Sequence, residues 1–254
     1  MAAPAVQRAR AVPLRFSTLL SRLALAGLVS GLLAGVWLLL VTERGIGPAL
    51  ELDAAHPRPD THEEVFSRTT QLIGGVVGMV LAGVVLGVVV SVLYALVRHR
   101  LPGRSELARL GLLAAIGFAV VGLLPAIKIP ANPPAVAVEG TVGRRTAIYL
   151  GVLLCGAVIV MLVAALVSLL QERGVAAGTT VVAGTALAVA LGVLVVVVLP
   201  DSPDSVPADV PAELLWNFRL ASLGQQAVLW GTLALAGGWL LDRATVGRPG
   251  HPDG

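Results

Sequence analysis

The chain has 254 residues, of which 56% are hydrophobic and only 13% are charged. A water-soluble protein of this length carries more charge and shows amphipathic helices or alternating strands, so the composition argues against a soluble enzyme or binding domain. The net charge of +3 would suit a nucleic-acid-binding domain, but the arginines lie in short loops beside apolar segments and no nucleic-acid motif is present. No nucleic-acid partner is expected.

Uncharged segments long enough to cross a bilayer occur six times. They predict an all-α, polytopic membrane helical bundle that forms a single integral-membrane domain over residues 1–254. The predicted spans are about 23–42, 72–97, 110–127, 147–170, 175–199 and 220–241, arranged as three hairpins. The β-branched run Val193 to Val198 is also assigned to a helix, because an open strand in lipid would leave its backbone groups unpaired.

The first span follows four arginines and superficially resembles a signal peptide. Its apolar run reaches about 20 residues and no small-residue cleavage pattern follows, so we interpret it as a retained first helix. Glycines recur at four-residue spacing in spans 1 and 2, which predicts close packing of these two helices. They are Gly27, Gly31 and Gly35, then Gly74 with Gly78, and Gly83 with Gly87.

Charges differ between the two predicted faces. Eleven of the 18 basic residues lie on the side of the N-terminus, so the positive-inside rule predicts that both termini are cytoplasmic. The outer loop that holds Lys128, Arg144 and Arg145 is contrary to that assignment. Eleven of the 15 acidic residues lie on the opposite side, which predicts an acidic outer face that concentrates cations.

Three adjacent residues in an outer loop, His62, Glu63 and Glu64, are the strongest candidate metal ligands. Imidazole and carboxylate groups suit a divalent ion such as cobalt, nickel or zinc. The alternative is a solvated acidic loop. If residues 61–71 form the helical start of span 2, Thr61 would cap that helix and Glu64 would pair with Arg68.

Two further segments carry candidate pathway residues. In the proline-rich run from Lys128 to Val136, Asn132 either lines a pore mouth or belongs to a rigid span terminator. In the last span, Gln225 and Gln226 lie where an unpaired amide is costly, so they should face a partner helix or a water-filled cavity. Arg68, Arg145 and Arg219 either mark an anion-binding vestibule or pair with outer acids, and the pairing is the simpler explanation.

Motifs for catalysis are missing from the sequence. There is no nucleotide-binding Gly-rich loop, no Ser-His-Asp arrangement and no His-Glu-x-x-His, and the single cysteine, Cys155, lies in mid-span with a packing role. We expect neither an enzyme nor a bound cofactor.

Three segments resemble the CbtA family of predicted cobalt transporter subunits: HEEVFSR (62–68), KIPANPPAV (128–136) followed by GRRT (143–146), and LLWNFRLASLGQQ (214–226). The resemblance extends from span 1 to span 6. It implies a bacterial inner-membrane protein that takes up cobalt beside a small, single-span, histidine-bearing partner, CbtB. The family is described with about five spans, one fewer than the six counted here.

By position, the resemblance makes His62, Glu63 and Glu64 outer metal-capturing residues, Asn132 a pore-mouth ligand, and Gln225 and Gln226 polar lining of the path. The expected partners are therefore a divalent metal ion as transported substrate, membrane lipid and a CbtB-like subunit. A different class of function stays open, in which the chain is a non-transporting scaffold or assembly factor that docks partners through its outer loops.

Overall fold

The computed structural model of the chain describes residues 14–55, 67–133, 140–204, 206 and 210–246. Within these ranges all regular structure is helical and no strand occurs, which confirms the predicted all-α class. The elements in chain order are α1 (Phe16–Trp37), a first π segment (Leu38–Thr42), α2 (Glu43–Ala55), α3 (Arg68–Val97), α4 (Glu106–Gly117), a second π segment (Phe118–Leu123), α5 (Leu124–Lys128), α6 (Val142–Glu172), α7 (Ala177–Val198) and α8 (Ala212–Val246).

Among the described residues, five helical segments are long and apolar enough to cross a membrane: Phe16–Glu51, Arg68–Val97, Glu106–Lys128, Val142–Glu172 and Ala177–Val198. They coincide with the first five predicted spans. The sixth predicted span lies within α8, which has 35 residues but is less apolar because it contains Gln225 and Gln226. The chain is a helical membrane protein, while the count of six spans and the cytoplasmic termini stay predictions.

Serine side chains cap the N-termini of two of these helices, α3 and α4. Ser67 accepts a hydrogen bond from the backbone N–H of Thr70 at 3.3 Å, and Ser105 accepts one from Ala108 at 3.1 Å. Each bond satisfies an amide that has no partner within its own helix. A helical start over 61–71, considered above as one alternative, does not include Ser67, whose ψ of 153° is not helical. The expected cap, Thr61, lies outside the described residues.

The two π segments interrupt helices that otherwise run through the bundle, and both contact α8. Short π-helical turns inside α-helices are rare and often occur at functional sites. The second π segment directly precedes α5, where Pro125 has no N–H to donate to the carbonyl of Val121. The hydroxyl of Tyr149 on α6 donates to that carbonyl at 3.5 Å.

Glycines bring α1 and α3 into backbone contact, as predicted. A Cβ added at Gly27 would overlap the carbonyl oxygen of Gly83, and one added at Gly31 would press on the α3 backbone. The prediction is wrong for Gly74 and Gly78, where an added Cβ would meet no described atom within 4 Å. The prediction is confirmed for Gly83 and Gly87, whereas further towards the start of α3 the contacting positions are Gly75 and Met79, one residue on from Gly74 and Gly78.

The core forms where α1, α3, α4 and α8 meet. Its fully buried side chains include Leu23, Tyr94, Leu110, Leu233 and Leu241. Glycines of α8 allow this approach, because a Cβ at Gly238 would come within 2.5 Å of the α4 backbone at Leu107. The last helix therefore packs between α1 and α4.

The helices α6 and α7 form a separate pair at the periphery. They turn sharply at Gly174, whose φ of +70° suits glycine, and the N–H of Val175 reaches back to the carbonyl of Leu170 at 3.0 Å. Much of their surface is exposed and apolar, including Leu154 and Val197, as expected of lipid-facing helices. Of the three expected hairpins, only the first is a closely packed pair, because the small residues of α8 favour α1 and α4 over α7.

Candidate functional site

Gln225 links three helices inside the bundle. The hydroxyl of Thr42, at the end of the first π segment, donates to Gln225 Oε1 at 3.0 Å, and Gln225 Nε2 donates to Met79 Sδ on α3 at 3.0 Å. One turn earlier on α8, the carbonyl of Ala221 accepts a 2.9 Å hydrogen bond from the indole N–H of Trp37. Of the two alternatives for this glutamine, bonding to partner helices is the one observed.

Gln226 lies beside the second π segment. Its Cβ is 3.6 Å from the position that a Cβ on Gly122 would take, and Gly122 itself is buried. The Gln226 side chain is half-buried, and its amide makes no hydrogen bond to any described residue. Of the adjacent glutamines of α8, Gln225 thus bonds to the end of the first π segment, and the Cβ of Gln226 lies beside the second.

Asp204, in the segment between α7 and α8, is the centre of a polar network at the predicted outer end. Its carboxylate is only 1% exposed, accepts from Thr141 Oγ1 at 2.9 Å and pairs with Arg145 Nε at 3.3 Å. Both partners lie at the N-terminus of α6, whose positive end favours a carboxylate. Asn132 Nδ2 is 3.5 Å from Asp204, and Asn132 Oδ1 accepts from Arg219 Nη2 at 3.0 Å.

A second link at this end involves Lys128, whose side chain is buried. Its ammonium group donates to the carbonyl of Val196 at 2.9 Å and to Asp201 Oδ1 at 2.7 Å. The hydrogen bond and the charge of Lys128 lower the pKa of the exposed Asp201 carboxyl. Asp201 and Asp204 together hold the segment after α7 over the ends of α5 and α6.

The predicted metal-capturing residues His62, Glu63 and Glu64 lie outside the described residues, and their role stays a prediction. Arg68, the expected partner of Glu64, forms an ion pair with Glu43 and donates to Gln71 at 2.9 Å.

Pairing with outer acids, the simpler explanation for the three outer arginines, is observed for two of them. Arg68 pairs with Glu43 and Arg145 pairs with Asp204. Arg219 instead donates to Asn132 and, at 3.4 Å, to the carbonyl of Ala131. The bonds of Arg219 connect α8 to the rigid segment that follows α5.

A third network lies at the opposite end of the bundle, around the buried Glu106. Its carboxylate accepts from the hydroxyl of Tyr94 at 2.5 Å, from Arg98 at 2.9 Å and from Arg109 at 3.0 Å. The backbone N–H of Glu106 donates to Asp242 of α8 at 2.7 Å. This network ties α3, α4 and α8 together, so both ends of α8 are anchored by polar contacts.

The described part of the chain contains no group of three or more His, Cys, Asp or Glu side chains suited to hold a metal ion. The donors inside the bundle are neutral: the amides of Gln225 and Gln226, the hydroxyl of Thr42 and the thioether of Met79. Such donors bind a divalent ion weakly, and weak binding suits passage better than storage. Cys155 is half-buried on α6 and takes no part in this site.

Sequence reasoning singled out Gln225, Gln226 and Asn132 but missed Met79, Glu106, Asp204 and Asp242. Glu106 had a usable signal, because Ser105 followed by an acid marks a helix start. Asp204 had none, since an acid in a Pro-rich outer loop looks the same whether it is solvated or buried.

A family model described as "Probable cobalt transporter subunit (CbtA)" matches residues 16–242, nearly the whole chain. A transporter subunit is not a class of enzyme. Comparisons with curated proteins and with solved structures find no match. The matched range includes Asn132, Gln225 and Gln226, which are predicted to line a pathway, and the helices have the apolar length of a multi-pass membrane protein. The chain therefore belongs to the CbtA family.

Proposed function

We propose that this protein is the membrane-embedded subunit of a transporter that takes up Co²⁺, or a similar divalent transition-metal ion, across a bacterial inner membrane. Family membership supports a transport role. The observation that carries the proposal is the pair Gln225 and Gln226 on one apolar helix, of which the first bonds to the end of one π segment and the second has its Cβ beside the other. Polar groups at this depth are costly unless they bond to partners or line a path.

The ion would approach from the acidic outer face, where His62, Glu63 and Glu64 are proposed to capture it. Asn132 would be its next contact. In this structure Asn132 accepts a hydrogen bond from Arg219, and Asp204 holds the segment between α7 and α8 against α6. Entry past Asn132 therefore requires that Arg219 release it, which makes this contact the outer closure of the proposed path.

Inside the bundle, the amide oxygens would replace part of the hydration shell of the ion. Gln226 has no competing hydrogen bond among the described residues, whereas Gln225 would exchange its bond with Thr42 for the ion. Neutral donors do not trap a divalent cation as carboxylates would, so release on the far side stays fast.

The description of the family as a subunit supports a complex with another chain. We propose a CbtB-like, single-span partner that bears histidines, and no resident cofactor or catalytic activity. If partner docking were the whole function, the chain would be the scaffold considered above, and uptake would be absent with any partner.

Uptake of radiolabelled cobalt and nickel into cells, with and without the partner, tests the proposal. Gln226→Met keeps the length of the side chain but removes the amide that would bind the ion. We expect uptake to fall roughly tenfold, since one lost polar contact costs about 1–2 kcal/mol. Gln171→Met is the matched control, because Gln171 is exposed at the end of α6. Unchanged uptake by the Gln226 variant at equal membrane abundance would reject the path.

The outer residues are tested separately. His62→Ala combined with Glu63→Gln should raise the cobalt concentration needed for half-maximal uptake and leave the maximal rate nearly unchanged, because capture precedes passage. No uptake by the wild type in any combination would favour the scaffold function.

A further inference from the structure

An open groove of about 520 Å³ runs along the outer half of α8, where this helix meets the first π segment and α2. Trp37, Val41 and Leu220 form its apolar wall, and Arg44 and Asn217 lie at its mouth. The groove is separate from the amides of Gln225 and Gln226.

Two glycines that line the groove allow aromatic rings to pack closely against its walls. Gly45 of α2 and Gly224 of α8 line it without side chains. A Cβ at Gly224 would come within 2.6 Å of the Trp37 ring, so the ring lies flush against α8 at the bottom of the groove. Trp37 is fixed there by its hydrogen bond to Ala221.

The mouth of the groove carries positive charge. Arg44 is exposed and forms no ion pair or hydrogen bond with the described residues, while the adjacent acid, Glu43, is already paired with Arg68. Asn217 is exposed as well and has no bond in the described part of the chain. A cation and an amide donor therefore stand together at the top of an apolar wall.

The depth of this mouth is that of lipid headgroups. Trp216, next to Asn217, is 61% exposed, and exposed tryptophans mark the membrane–water interface. Just below the mouth, Leu40 and Leu220 are exposed and apolar, as on a surface that contacts acyl chains. The groove thus combines a headgroup-level cation with an acyl-level wall.

We propose that this groove binds one anionic phospholipid, with its phosphate held by Arg44 and Asn217 and one acyl chain against Trp37 and Leu220. An arginine and an amide offer several N–H donors to a phosphate oxygen, and an unpaired arginine is complementary to its charge. This inference does not depend on the transported ion.

Native mass spectrometry of the full-length protein in detergent, with dioleoyl phosphatidylglycerol or dioleoyl phosphatidylcholine added, tests the site. The two lipids share acyl chains and differ in net charge. We expect the wild type to retain one phosphatidylglycerol roughly fivefold to tenfold more strongly than phosphatidylcholine, and Arg44→Gln to remove most of that preference. Arg144→Gln, an exposed arginine at the same end of the bundle on α6, should keep it.

Melting temperatures without lipid should agree for the three proteins, since both arginines are exposed. Equal retention of the two lipids by the wild type, or an undiminished preference in Arg44→Gln, would overturn the proposal. Competition by glycerophosphoglycerol, which lacks acyl chains, at the same concentration as the lipid would assign the mouth to a soluble phosphate and also overturn it. Retention of neither lipid by the wild type would overturn it as well.

Discussion

The backbone N–H of Glu106 donates a 2.7 Å hydrogen bond to the carboxylate of Asp242, so the last part of α8 caps the first turn of α4. The N–H of Leu107 donates to the second carboxylate oxygen at 3.3 Å. These amides have no partner within α4, and the positive end of that helix favours an anion. With Arg219 bonded at the other end, α8 is fixed on both sides of Gln225 and Gln226.

We expect Asp242→Ala to destabilise the fold by about 1–2 kcal/mol, because two helix-terminal amides lose their acceptor. Asp242→Asn keeps one oxygen and should recover part of the loss. Thermal unfolding in detergent, followed by circular dichroism, measures both variants. An alanine variant with the same melting temperature as the wild type would show that water caps α4 equally well.

Removing the charge of Glu106 should be more costly than removing the cap. Glu106→Gln leaves Arg98 and Arg109 without their anionic partner, and both arginines are partly buried. We expect a loss of about 2–3 kcal/mol, somewhat less than the roughly 3–5 kcal/mol for breaking a fully buried pair, because the arginines retain some solvent. Tyr94→Phe, which deletes one hydrogen bond, should cost about 1 kcal/mol.

Glu172→Gln is the matched control for Glu106, since Glu172 is exposed at the end of α6. The same unfolding measurement applies to all three variants. If Glu106→Gln and Glu172→Gln have the same melting temperature, the charge of Glu106 contributes no net stability through the buried network.

Glycine substitutions distinguish the contacting stripe of α3 from its other face. Gly83→Ala should separate α1 from α3 and lower the melting temperature by several degrees, because the new methyl overlaps the backbone of Gly27. Gly78→Ala adds a methyl group that meets no described atom within 4 Å, so its melting temperature should stay near that of the wild type. Equal effects would contradict the packing described here.

Periodicity and composition were sufficient to predict the helical class and the packing of α1 against α3, because both depend on local patterns of apolar and small residues. The first half of the stripe on α3 was misplaced by one residue, at Gly74 and Gly78, because several glycines are adjacent there and only the partner helix decides which face packs. The neighbours of α8 depend on contacts across more than 100 residues, such as Asp242 with Glu106, which no local pattern encodes. The pairing of Asp204 with Arg145 likewise joins distant parts of the sequence that no local pattern connects.

The pH dependence of stability should report the contact between Asp201 and Lys128. Lys128 lowers the pKa of the Asp201 carboxyl in the folded protein, so the contact stabilises the fold above the ordinary carboxyl pKa of about 3.9. That contribution is lost only as the pH falls through the lowered pKa. Asp201→Asn should therefore melt below the wild type at pH 7, and the two melting temperatures should converge only as the pH falls below the ordinary carboxyl pKa and the wild-type carboxyl becomes protonated.

A second background isolates this pair. In Lys128→Met, which removes the ammonium group, Asp201→Asn should cause no further change at pH 7, because the carboxylate has lost the donor that lowers its pKa. Melting curves of the four proteins, recorded in one detergent from pH 7 to pH 3, complete the cycle. A gap between wild type and Asp201→Asn that persists once the wild-type carboxyl is protonated would show that the difference does not arise from the charge of Asp201.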